Sequence, residues 1–208
     1  MSARRNQQNL NISGFSPIQL KTQSPQSAKS PGKDFGINER IELGREKVLS
    51  GYDRWKLAET NGSQCLQIVH NIKEKARRSN ESPYPSELET YCTKLAVVRT
   101  VLGEVIKALA EFKKEISGSI SILESMNDNE ELKSKLKTVE NFLHRLLQLY
   151  ESGLELKLFV IENAAHAASS NDSHTLLASW NCSMNQNEIF QLTTQLKISP
   201  PSHQWIVS

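Results

Sequence analysis

Residues 88–116 read LETYCTKLAVVRTVLGEVIKALAEFKKEI. Within them Leu88, Tyr91, Leu95, Val98, Leu102, Val105, Leu109, Phe112 and Ile116 recur at alternating intervals of three and four. That spacing places all of them on one stripe of a helix, and its persistence is the pattern of coiled-coil packing. Ser119 breaks the apolar series, and Leu123 and Met126 resume it. Just upstream, Ser86-Glu87-Leu88-Glu89 has the form of a capping box, preceded by the breaker-rich stretch Arg78-Ser79-Asn80-Glu81-Ser82-Pro83-Tyr84-Pro85. The pattern predicts a helix over about 87–126, roughly 60 Å long at about 1.5 Å per residue.

The flanks repeat this reading. On the N-terminal side, helical spacing starts after Asn38 and runs through Ile41, Val48, Tyr52, Trp55, Leu66, Val69, Ile72 and Ala76. Asn61-Gly62 interrupts it. Glycine inside a helix costs about 1 kcal/mol against alanine, so the pair marks either a kink or a close approach by a neighbouring helix. On the C-terminal side, Asn127-Asp128-Asn129 forms a short polar turn that makes the next helix an antiparallel neighbour. That helix carries Leu132, Leu136, Val139, Leu143, Tyr150, Leu154, Leu158 and Ile161 and runs to about Ala168, where Ser169-Ser170-Asn171-Asp172 ends it. A short helix follows through Leu176, Leu177 and Trp180, and a second short piece around Glu188–Leu196. The expected fold is all-α: three long antiparallel coiled-coil helices with a short helical C-terminal cap and disordered tails. Residues 1–37 are a Ser/Pro-rich tail, 38–197 the helical bundle and 198–208 a C-terminal tail.

Composition narrows the function classes. The charges nearly balance, with 25 basic and 23 acidic residues for a net of +2, so no bulk field draws the chain to nucleic acid or an anionic membrane. No stretch approaches the roughly 20 apolar residues of a bilayer span, and no secretory signal is visible at the start. Cys65, Cys92 and Cys182 are far apart and never in a Cys-x-x-Cys pair, which suits a reducing compartment.

Candidate chemistry is sparse. His70, His144, His166, His174 and His203 are scattered without a Cys or Ser partner at a motif spacing, and no Gly-rich phosphate loop exists. The expectation is no catalytic residue, no metal and no cofactor. The basic run Lys73-Glu74-Lys75-Ala76-Arg77-Arg78 complements the dipole of the helix it ends; the alternative is a nuclear-import or phosphate-contacting patch. Trp55 reads as core, while Trp180 fits a core or a partner-anchor role equally. Ser16-Pro17, Ser24-Pro25 and Ser30-Pro31 are proline-directed sites, and Ser30 also has Lys33 at +3, matching the preference of cyclin-dependent kinases.

The third helix and the segment after it resemble a known family. Leu146-Leu147-x-x-Tyr150-x-x-x-Leu154-x-Leu156-Lys157-x-x-Val160, then Ala165-His166, then Leu177-x-x-Trp180, is similar to the C-terminal region of the cyclin-dependent kinase 2-interacting protein family. Trp55 followed by Gly62 and an apolar helical stretch resembles the family's N-terminal helix. The likeness covers roughly 48–76 and 143–190 and leaves the tails unmatched.

The resemblance implies a non-enzymatic nuclear adaptor in DNA replication, the cell cycle and DNA damage checkpoint signalling. Its implied partners are a cyclin-dependent kinase, other replication kinases and subunits of an AAA ATPase complex concerned with replisome proteostasis and large ribosomal subunit maturation. It also implies partner-binding or fold roles for Tyr150, Lys157, His166 and Trp180, and less directly for Trp55 and Gly62. The residues alone allow another reading, a generic coiled-coil tethering or structural subunit of a cytoplasmic complex. Direct nucleic-acid binding through Lys73–Arg78 is a third, and the charge balance disfavours it. A seam of about ten large apolar side chains per helix, at about 1.5–3 kcal/mol each, sets against backbone ordering of about 1–2 kcal/mol per residue. A lone long bundle is thus marginal, and an obligate helical partner is expected.

Overall fold

A computed structural model describes residues 33–126, 129–182 and 185–198. Among these residues the chain is helical without strands, in five segments: α1 (Lys33–Arg78), α2 (Glu87–Met126), α3 (Glu130–Ala164), α4 (Ser170–Asn181) and α5 (Gln186–Ile198). No described helix is long and apolar enough to cross a membrane.

The Leu88–Ile116 seam sits where its spacing put it. Leu88, Leu95, Val98, Leu102, Val105, Leu109, Phe112 and Ile116 are all buried, and Tyr91 is half-buried at the edge of the same core. α2 is the central member, packed along α1 on one side and α3 on the other. Exposed ion pairs report the register. Lys47 meets Glu115 at 3.8 Å and Arg54 meets Glu104 at 2.6 Å, so α1 and α2 run antiparallel. Arg99–Glu162 at 3.4 Å and Lys137–Glu124 at 3.1 Å do the same for α2 and α3. Such surface pairs contribute little stability themselves.

Several boundaries differ from the sequence expectation, each for a physical reason. α1 begins at Lys33 rather than after Asn38, and Ile37 packs against the core. Ser119 does not break the seam: it is buried in phase with Phe112, its hydroxyl donating to Glu115 O at 3.0 Å, while Ile120 beside it supplies the apolar contact. Met126 lies half exposed, outside the seam. Asn129 is the N-cap of α3, its side chain accepting from Leu132 N at 3.0 Å. At the expected capping box before α2, the first turn is closed by Leu88 N–H donating to Pro85 O and Glu89 N–H donating to Ser86 O. A full capping box occurs instead at Ser169–Asp172, where Ser169 Oγ accepts from Asp172 N at 3.0 Å and Ser169 N donates to Asp172 Oδ2 at 2.8 Å. The Ser-Ser-Asn-Asp stretch read as a helix end is the start of α4, and α3 stops at Ala164.

The C-terminal cap is more than a lid. α4 and α5 follow one another along the groove between α1 and α3, both antiparallel to those helices. Contacts to α1 move from Arg77–Ser173 through Ser63–Asn181 to Arg45–Leu196. Contacts to α3 move from Lys157–Trp180 to Arg145–Glu188. Together they act as a broken fourth helix, giving an up-down-up-down bundle within one chain. Ser30 and the other N-terminal Ser-Pro sites lie outside the described residues.

Candidate functional site

Most of the positions carried by the family resemblance meet at one joint, where α4 docks between α1 and α3. Trp180 ends α4 and is buried. Its ring lies against the α1 backbone at Gly62: a Cβ built there would come within 2.1 Å of the ring. Asn61-Gly62 is thus a place of close approach, and α1 runs through it as continuous helix. Trp180 Nε1 donates to Glu59 O at 3.0 Å, one turn earlier on α1.

Lys157 of α3 enters from the other side. Its ammonium pairs with Glu59 at 2.9 Å, and the two side chains are only 3% and 12% exposed. The same Nζ donates to Trp180 O at 3.3 Å and lies 4.6 Å from the centre of the Trp180 ring. A cation–π contact in so dry a setting is worth more than at the surface. Gln186, at the start of α5, donates to the second Glu59 oxygen at 3.3 Å. Glu59 of α1 therefore gathers groups from α3 and α5 on its carboxylate and from α4 on its backbone carbonyl. An open cleft of about 310 Å³ lies over this joint, edged by Lys56, Glu59, Lys157, Trp180, Asn181 and Gln186.

Below it, Trp55 and Tyr150 pack edge to face, ring centres 4.6 Å apart. Gly153 admits the Trp55 ring, at 3.7 Å from where its Cβ would be. Tyr150 is buried with no hydrogen-bond partner for its hydroxyl. Burial foremost, then the nearby Glu59 carboxylate, raises its pKa well above the ordinary phenol value.

Trp55, Tyr150, Lys157 and Trp180 thus face inward and contact one another's helices rather than solvent. His166 stands apart, exposed at the far end of α3, its ring 5.9 Å from that of Tyr84 in the α1–α2 loop.

The basic run at the end of α1 is split. Lys73 is buried and donates to the Ala165 and Pro83 carbonyls. Arg77 donates to Ala167 O at 3.2 Å, Ser169 O at 2.9 Å and Ser173 Oγ at 3.2 Å. Lys73 thus caps the carbonyl end of α3, while Arg77 binds the connection after it and the first turn of α4. Arg78 and Lys75 remain exposed.

The roles of Glu59, Lys73 and Arg77 at these joints are beyond sequence reasoning, because their partners lie across the fold. Ser169 and Asp172 did carry a signal, the Ser-x-x-Asp spacing of a capping box. No group of three or more His, Cys, Asp or Glu positioned to hold a metal occurs among the described residues. No protein-family model, curated protein or solved structure matches the chain.

Proposed function

We propose that the chain is a non-enzymatic nuclear adaptor subunit of the cyclin-dependent kinase 2-interacting protein type. In this reading it links cell-cycle kinases in DNA replication and checkpoint signalling. It also serves an AAA ATPase complex in replisome proteostasis and large ribosomal subunit maturation. One observation carries the reading. Trp55, Gly62, Tyr150, Lys157 and Trp180, which bear the likeness to that family and are spread over most of the chain, lie around a single joint.

The proposed mechanism is recruitment by a shaped helical surface. Trp55, Tyr150, Lys157 and Trp180 act on a partner by holding that surface in place, whereas His166 is exposed and available for contact. The groove between α1 and α3 already holds α4 and α5, so the helical partner belongs on an outer face. Phosphorylation of Ser30 by a cyclin-dependent kinase tunes the assembly in this reading. Phosphopeptide mapping after incubation with such a kinase tests that part, and an unmodified Ser30 removes it.

Affinity purification from nuclear extract with mass spectrometry tests the whole. The wild-type chain should recover replication kinases and AAA ATPase subunits, and Trp180→Ala should recover them poorly. Recovery of cytoplasmic or membrane-associated proteins alone would overturn the reading in favour of a tethering subunit.

A further inference from the structure

We propose that His70 of α1 and His174 of α4 form an acid-sensitive latch that fastens α4 to the bundle. The two rings stack with centres 4.3 Å apart and planes tilted by 53°. His70 is buried, and its Nδ1 has no hydrogen-bond partner. It shares a small cavity with Leu66 and Val69 of α1, Ala164 of α3 and Ser173, Leu176 and Leu177 of α4. The His70 ring therefore lies against an apolar wall and the His174 ring.

The charged groups around it decide what a proton does there. On α1 these are Glu74, one turn along, and Lys73 and Arg77, whose cations bind the carbonyl end of α3 and the first turn of α4. On α4 it is His174 itself; Asp172, nearby on the same helix, is engaged with the Ser169 cap. Glu74 is the one group favouring a protonated His70, and it is already paired with Arg77. Protonating His70 puts positive charge against the His174 ring, next to Arg77 and largely out of water. Burial first, then His174, hold the His70 pKa below its ordinary value of 6.5, with Arg77 adding to the effect and Glu74 opposing it.

The sign follows from proton linkage. A histidine whose folded pKa is depressed contributes its full stabilisation above 6.5 and loses it as pH falls through the folded value. Each unit of depression makes opening of α4 about tenfold more frequent once the pH is below both values. Opening frees Leu176, Leu177 and Trp180, which are the apolar face of α4. The latch needs no partner and is independent of the adaptor reading.

Two measurements on the full chain decide it. The first follows the imidazole resonances by NMR from pH 8 to pH 5. His70 should titrate below the ordinary histidine value, and titration at or above that value overturns the latch. The second compares amide hydrogen exchange of α4 with that of α2 at pH 7.5 and pH 5.5, corrected for intrinsic rates. Protection of α4 relative to α2 should fall in the wild type by up to about tenfold, because pH 5.5 lies one unit below the ordinary value of 6.5. It should fall less in His174→Gln, a change at an exposed position that removes the second cause and leaves burial in place. Equal relative protection at both pH values, or an undiminished fall in His174→Gln, contradicts the proposal.

Discussion

Two regions of this bundle are held together in different ways. The α2 seam from Leu88 to Ile116 is uniform: one apolar side chain after another, each buried by proximity to any suitable neighbour. The Trp180 joint is particular: a carboxylate, an ammonium, an indole and a glycine from three helices, each placed by the others. The seam runs the length of the bundle's central helix and says little about which helix belongs where. The joint buries less, yet it fixes which segment fills the groove between α1 and α3, and in what register. Affinity for the core and specificity of assembly are thus carried by different residues.

The largest expected effect lies at the joint. Lys157→Ala leaves Glu59 buried without its ammonium and should cost about 3–5 kcal/mol, the usual result of stranding one member of a buried pair. Urea unfolding measures it; a loss below about 1 kcal/mol, the scale of an exposed pair, would reduce the joint to decoration. In the seam, Leu102→Ala should cost about 2–5 kcal/mol through its cavity, while Leu102→Met, which conserves volume, should cost less than about 1.5 kcal/mol. That tolerance is what a uniform seam predicts and a particular joint does not share.

Glycine marks close approach at the joint and at one place in the seam, where Phe112 lies on Gly44 of α1, but not at Gly103. Gly62→Ala drives a methyl group into the Trp180 ring and should cost about 1–3 kcal/mol as overpacking. Trp180 fluorescence should shift toward solvent. Gly103→Ala, on α2, meets nothing within 4 Å. It should stabilise the chain by up to about 1 kcal/mol. Opposite signs for the same chemical change, read as shifts in thermal midpoint, would sharpen the contrast. Between them falls Ser169→Ala, which removes the α4 cap and should cost about 1 kcal/mol, visible as faster amide exchange in the first turn of α4.

The same contrast explains what the chain's own order of residues reveals. The bounds expected for α2, about 87–126, agree with the helix, because periodicity is local and survives any arrangement of neighbours. The short turn at Asn129 is legible for the same reason. The beginning of α4 carries a signal that points forward rather than back: a Ser-x-x-Asp stretch opens a helix, while the end of α3 is met by Lys73 of a different helix, bound to the Ala165 carbonyl. The Glu59–Trp180 contact, 121 residues apart, leaves no periodic trace. Lys157 enters through resemblance and Trp180 as a core or anchor residue, without any indication that they touch. The expectation of a marginal bundle counts apolar seams on the long helices against backbone ordering, and α4 with α5 add buried side chains between α1 and α3.

The central claim is that Glu59 and Lys157 act as one unit to fasten the fourth helix. Urea unfolding of four chains tests it most directly: wild type, Glu59→Leu, Lys157→Met and the double variant. Each single change should cost at least about 2 kcal/mol, because each strands a buried charge, and the double variant should recover much of the loss. If the double variant instead loses the sum of the two single effects, the groups act independently and the joint is not a lock.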